Sequence, residues 1–277
     1  IGFDTLLNGL DKGHRFLLLR EDYPSIIDPV TNIGFDHYEV TIDEKMEEHI
    51  LDAIENFKPT IFAFSMVQYI SGLRMGGAFI KKIKAAYPSL LLIADGTQFT
   101  GTTVFNFSSS GLDALVGSGY KWLLGGYGNG YVFLTDQMKE ALYSGKKNKR
   151  SNELSSDKNY LSMYFEPGHL DSLNFGSLSH GLNYLQSLGL DNIEKANHEL
   201  CQAARDAFRS MELIPDWMYQ RKQQSTIINL PFDPKTIDKL HAAGILGSKR
   251  GGGFRISFHF YNSMEDLNRF VEVMAVK

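Results

Sequence analysis

Apolar residues in this chain gather into short unbroken runs, and the stretches between them repeat their apolar positions at helical spacing. Phe16-Leu-Leu-Leu19, Ile61-Phe-Ala-Phe64, Leu90-Leu-Leu-Ile-Ala94 and Leu112 to Val116 are such runs. Runs of this kind are the pattern of strands buried on both faces of a parallel sheet. Phe3 to Leu10 reads as the end of a helix stopped by Gly9 and Gly13. Asp43 opens a helix with apolar positions at Met46, Ile50, Leu51 and Ile54, and Gly77 to Tyr87 reads as another. The segment holding Pro24 and Pro29 reads as a loop. Alternating strands and helices predict parallel strands joined by right-handed crossovers, an α/β sandwich with a mostly parallel sheet between helices. Gly130 to Thr135 completes the series after the turn Gly125-Gly-Tyr-Gly-Asn-Gly130.

The pattern then changes. Gly145 to Lys158 is polar and begins with the basic cluster Lys146-Lys-Asn-Lys-Arg150, which reads as a solvated loop in preference to an anion site. From Leu178 to Met211 the spacing is helical, with a break near Gly189. Beyond it, strand-like pieces at Ser225 to Leu230 and Phe254 to Phe260 alternate with helices from Pro234 to Ala243 and from Ser263. The expected division is a large domain over residues 1–180, then a linker helix and a smaller α+β domain over 181–277. No internal repeat is found.

Composition narrows the function. A net charge of −4 gives no electrostatic reason to expect nucleic acid or an anionic membrane. No apolar run approaches the roughly 20 residues of a membrane span. The single cysteine, Cys201, excludes an internal disulfide framework and a cysteine-based metal cluster, and fits a cytoplasmic protein. The chain opens without Met in the middle of an amphipathic pattern and without a signal peptide, so further residues are expected before Ile1.

Ligands of parallel α/β sheets bind beyond the carboxyl ends of the strands. Three polar positions fall there: Ser65, Asp95 and the group Ser118 to Lys121. An acid at a strand end must be paired or solvated, and capping a loop is its ordinary use. Gln98 adds a second polar group to the same loop. Lys121 stands in the apolar stretch Tyr120-Lys-Trp-Leu-Leu124, where a desolvated amine can form a Schiff base. A snorkelling lysine at a strand edge is the plainer alternative. An Asp and a Lys at neighbouring strand ends are what a pyridoxal-phosphate (PLP) site requires, one for the ring nitrogen and one for the aldehyde.

Ile93-Ala-Asp-Gly-Thr-Gln98, followed by Gly117-Ser-Gly-Tyr-Lys-Trp122 and a Gly-rich turn, resembles the class V aminotransferase family. That family includes cysteine desulfurases, kynureninase-like hydrolases and isopenicillin-N-epimerase-like enzymes. The closing stretch Phe254-Arg-Ile-Ser-Phe-His-Phe-Tyr-Asn-Ser-Met-Glu-Asp266 resembles the family's Arg-x-Ser-x-x-x-Tyr-Asn segment. The resemblance covers nearly all of the chain and implies the PLP-dependent transferase fold, with pyridoxal 5'-phosphate as cofactor and a homodimer as the working unit. By the same resemblance, Asp95 pairs with the pyridine nitrogen, Gln98 bonds the ring oxygen and Ser118 contacts the phosphate. Lys121 carries the Schiff base and Arg255 grips the substrate carboxylate. Tyr120 stands where His is common, Met66 stands where a ring-stacking His is expected, and His169 takes the place of a phosphate-binding Thr of the partner subunit.

Two further departures shape the expected activity. The loop that carries the desulfurase nucleophile is shortened to Gly247-Ser-Lys-Arg-Gly-Gly-Gly253, and Cys201 lies in a helical pattern, so persulfide chemistry lacks its nucleophile and a cysteine desulfurase is not expected. The phosphate-cradling turn that family members place before the first helix is absent. The resemblance implies a PLP enzyme acting on an amino acid, with aminotransferase as its default. A lyase, hydrolase or epimerase, or a silent family member serving as a binding subunit, are the alternatives.

Overall fold

A computed structural model describes residues 2–144 and 161–275. The polar loop Gly145 to Lys158, with the basic cluster at Lys146 to Arg150, lies outside the described residues. The chain divides into two compact units, Ile1–Met66 with Gly76–Thr100 and Phe105–Tyr184, and Val67–Met75 with Gly101–Val104 and Leu185–Lys277.

The first unit is built on a six-stranded sheet of β1 (Arg15–Leu19), β2 (Asp36–Val40), β3 (Ile61–Ser65), β4 (Leu91–Asp95), β5 (Ala114–Ser118) and β6 (Gly130–Leu134), in the order β2-β1-β3-β4-β5-β6. All neighbours pair in parallel except β5 and β6. The short link of residues 119–129 explains the exception, because a parallel return needs a crossover of a dozen or more residues. Every residue of β3 is buried, as the unbroken apolar run requires. On one face the core joins α1 (Gly2–Asn8) and α2 (Pro24–Ile33) to the sheet through Phe3, Leu6, Leu7, Phe16, Ile26, Val30, Ile61 and Ile93. Each large side chain removed from water there contributes about 1.5–3 kcal/mol.

Two elements differ from the sequence expectation. The segment with Pro24 and Pro29 is the helix α2, not a loop. Pro24 occupies the first turn, where its missing N–H has no intrahelical partner to lose, and Ile26 and Val30 bury one face. Left-handed Gly34 ends the helix (φ 84°), and the chain enters the edge strand β2, whose half-polar sequence Asp-His-Tyr-Glu-Val carries no apolar run.

An ion pair closes the amino end of the sheet. Asp113, just before β5, is 1% exposed, and its Oδ2 accepts from Lys84 Nζ at 2.7 Å and from Leu92 N at 2.8 Å. The same ammonium is shared with the carbonyls of Pro88 and Leu90 and with Gln137 Oε1. Thr135 Oγ1 donates to Asp113 Oδ1 at 3.3 Å and also caps α5 (Asp136–Ala141) by accepting from Met138 N.

The second unit contains a three-stranded antiparallel sheet of β7 (Ile227–Leu230), β8 (Ser248–Arg250) and β9 (Gly253–Ser257), in the order β7-β9-β8. Strand β9 stops at Ser257, short of the expected Phe260. The long helix Leu190–Ser210 begins after Gly189 (φ 83°), where the break in periodicity was expected. Leu200, Ala204 and Phe208 of this helix share a core with Ile228, Leu230, Leu240, Phe254, Leu267 and Phe270. Cys201 is buried in that core, and burial pushes its thiol up to about 11, the behaviour of a structural thiol.

Candidate active site

The carboxyl ends of β3, β4 and β5 bring Ser65, Asp95 and Ser118 to one edge of the sheet. Ser65 lies opposite Asp95 in the β3–β4 register, and Asp95 lies opposite Val116 in the next pair. Asp95 closes a tight turn on itself, its Oδ1 accepting from Thr97 N at 2.7 Å. Thr97 Oγ1 in turn accepts from Ser118 N at 3.1 Å, which ties the loop after β4 to the end of β5. Burial is the largest influence on Asp95 and raises its carboxyl above the ordinary range, while the Thr97 bonds and the charge of Lys121 pull it back down. Asp95 and Lys121 therefore act on one another electrostatically within this unit.

Gln98 is 8% exposed, and its Oε1 accepts from Trp122 Nε1 at 3.1 Å. An indole N–H can only donate, so this bond fixes the amide orientation and leaves the NH₂ as the group with which Gln98 meets a ligand oxygen. Trp122 adjoins Lys121, so the contact also holds the lysine-bearing segment to the loop after β4.

That segment is shaped by small residues. A Cβ on Gly117 would collide with the Tyr131 phenol, and one on Gly119 with Asn129 Oδ1. Asn129 fastens the Gly-rich turn from within: its Nδ2 donates to Gly125 O at 2.6 Å and to Asn174 O at 2.9 Å. The backbone bonds Gly125 N to Gly119 O and Leu124 N to Lys121 O complete the connection. Lys121 is partly buried, with Nζ 5.6 Å from the centre of the Tyr120 ring. Tyr120 itself is exposed and stacks on Tyr127.

The remaining expected positions are more scattered. Met66 is buried directly after β3, and its N–H donates to Asp95 O at 2.9 Å. His169 is exposed, and among the described residues no hydrogen bond or ring contact links it to this group. Arg255 belongs to the second unit, on β9 between Asn229 and Ser248, and its Nη1 donates to Tyr69 O there.

Sequence reading missed two residues. Asp22, just before the misread helix α2, is buried against Ser65. Tyr131 on β6 bonds Thr100 Oγ1, and burial together with the charge of Asp95 raises its phenol. Its place opposite Gly117 could have been found from the glycine, which leaves room for a large neighbour.

Compared with known proteins, residues 3–270 match the profile of the class V aminotransferases. The chain belongs to this family. It is 27% identical over 223 residues to a probable cysteine desulfurase of Ureaplasma parvum serovar 3, a match covering 70% of this chain and 53% of the relative. The chain thus spans about half the length of that curated relative. Among solved structures, an apo cysteine desulfurase of Thermococcus onnurineus NA1 superposes with a TM-score of 0.80 at 19% identity, covering 98% of this chain and 75% of that one. A cystine C–S lyase in complex with its product cysteine persulfide gives 0.81 at 18% identity, covering 99% and 79%. These likenesses show the PLP-dependent transferase fold, a mainly parallel sheet between helices with a smaller antiparallel sheet.

Pyridoxal 5'-phosphate is the cofactor of this family, and the described residues fit it. Burial disfavours the charged form of the Asp95 carboxyl, which a cationic ring nitrogen would stabilise. The Gln98 amide would offer N–H to a ring oxygen, and the half-buried Lys121 would supply the amine for the aldehyde. No helix among the described residues is long and apolar enough to cross a membrane, and no group of His, Cys, Asp and Glu among them could hold a metal ion.

Proposed function

We propose that this chain forms the cofactor- and substrate-binding body of a PLP-dependent enzyme acting on a small α-amino acid, with transamination as its reaction. The observation that carries this reading is the place of Asp95 at the end of β4, beside the end of β5 that leads into Lys121, whose charge acts on it. Bound pyridoxal phosphate supplies an electron sink for the substrate's Cα–H bond. Asp95 holds the proton on the ring nitrogen, and Gln98 donates to the ring oxygen. Ser118 and Tyr120 donate to the phosphate, and the buried Met66 contributes apolar contact to the ring. Lys121 would anchor the aldehyde carbon and, once the substrate's own amine has displaced it there, its freed amine would take the proton from the substrate Cα. Arg255, a planar two-pronged donor, binds the substrate carboxylate. Residues 1–180 form the cofactor domain in this reading, and 181–277 the linker helix and smaller domain.

The enzyme works as a cytoplasmic homodimer in which His169 reaches the partner subunit's phosphate. Supporting the dimer, the helix Ser172–Leu188 exposes Leu173, Phe175, Leu182 and Tyr184, with Leu173 82% exposed. A C–S lyase is the second reading, favoured by the desulfurase and lyase relatives.

Borohydride reduction in the presence of PLP tests the anchor. The wild-type protein should gain a covalent adduct on the Lys121 peptide, and Lys121→Ala should not. Turnover in Lys121→Ala should fall about a thousandfold, the scale of a lost general base. An unmodified wild-type Lys121 at saturating PLP would defeat the reading. Amino transfer that needs a keto-acid acceptor supports transamination. Sulfide and pyruvate released from cysteine without an acceptor would replace it with the lyase.

A further inference from the structure

The first unit holds a second acid that none of these roles uses. Asp22 follows β1 and is 3% exposed. Its Oδ1 accepts from Ser65 Oγ at 2.6 Å and from Tyr23 N at 2.7 Å, and its Oδ2 accepts from Ser65 N at 2.8 Å. All three donors are neutral, and together they suit an ionised carboxylate. Burial is the largest influence on Asp22 and, with the charge of Asp95 and against the Ser65 and Tyr23 bonds, leaves its carboxyl pushed up to about 6. The two acids are therefore close enough to feel one another. They are also joined through the backbone, since Ser65 pairs with Asp95 in the sheet and Met66 N bonds Asp95 O.

We propose that Asp22 is a positioning residue for Asp95: through Ser65 it fixes the end of β3 against β4, and as a second negative charge it makes this strand edge favour a cationic ring nitrogen. The proposal rests on the PLP reading given above. Two carboxylates that feel one another repel unless a cation joins them, so the pair favours the protonated form of a pyridine more than Asp95 alone would. The charges in play are Asp22 after β1, Asp95 at the end of β4, and Lys121 after β5, which acts on Asp95.

The test uses the protein loaded with PLP in three forms: wild type, Asp22→Asn and Ser65→Ala. Asp22→Asn keeps the shape and removes the charge. Ser65→Ala keeps the carboxyl group and the backbone N–H but removes the hydroxyl. Equilibrium dialysis gives the PLP Kd, and a pH titration of the cofactor's visible absorbance gives its midpoint. Asp22→Asn should weaken PLP about tenfold, the scale of a charge-assisted hydrogen bond, and shift the titration midpoint. Ser65→Ala should weaken PLP by a smaller factor and leave the midpoint in place. Should Asp22→Asn fail to fold, the Kd of Ser65→Ala decides, and a wild-type value there overturns the proposal. A Lys121 adduct in all three proteins with one shared Kd and one shared midpoint overturns this inference alone. No adduct even in wild type overturns the cofactor reading, and this inference with it.

Discussion

At the amino end of the six-stranded sheet, the buried carboxylate of Asp113 meets a lysine that is also held by two carbonyls and a glutamine. At the carboxyl end, the buried carboxylate of Asp22 is bonded by a hydroxyl and two backbone amides, and its charged neighbour is another acid. One edge is electrically closed, and its acid serves to join β4, β5 and the helix α4 (Gly77–Ala86) that carries Lys84. The other concentrates negative charge where a parallel sheet receives its ligand. The same residue type thus marks structure where a lysine is hydrogen-bonded to it, as at Asp113, and chemistry where neutral donors hold it, as at Asp95 and Asp22.

Breaking the closed edge should have the largest effect on stability. Lys84→Met leaves Asp113 buried without its cation and should cost about 3–5 kcal/mol, read as a lower urea midpoint. A loss under about 1 kcal/mol would mean that the Asp113 backbone and Thr135 bonds suffice alone.

At the open edge the effect should depend on pH. Raising the Asp22 carboxyl from its ordinary 3.8 to about 6 costs the folded state about 3 kcal/mol once Asp22 is ionised in both states. The folded form binds the proton more tightly, so this cost is absent at the acid end and grows as pH rises through the window between those values. Asp22→Asn should therefore gain stability relative to wild type by up to about 3 kcal/mol between about pH 4 and pH 7. Thermal midpoints across that range measure it, and a constant difference between the two proteins would contradict it.

The surface pair Lys139–Asp136 is the control. Their side chains are 40% and 93% exposed, so Lys139→Ala should shift stability by no more than about 0.5 kcal/mol and still less at high salt. A larger change would blur the contrast between buried and exposed charge on which the comparison depends.

The parallel strands were legible because burial on both faces leaves an unbroken apolar run, as in Ile61 to Phe64. Asp95, Ser118 and Lys121 were legible because they follow such runs directly. Helix α2 was not, since Pro24 and Pro29 read as breakers although a proline in the first turn is tolerated. The edge strand β2 was hidden by its half-polar sequence. Asp22 was lost with that region, and its burial depends on Ser65, 43 residues away, a contact no local pattern reports. The antiparallel direction of β6 follows from the short link before it, a length that was visible but not weighed.

That short link has a consequence for how the molecule assembles. Strands β5 and β6, with the Gly-rich turn and Lys121 between them, form a hairpin whose pairing closes over few residues. The parallel neighbours can meet only after whole crossover helices are threaded between them. Folding rates favour local closure over long-range pairing. The segment bearing Lys121 can therefore take its shape early, as a preformed template, and the edge holding Asp95, Ser65 and Asp22 is completed against it as the distant strands arrive.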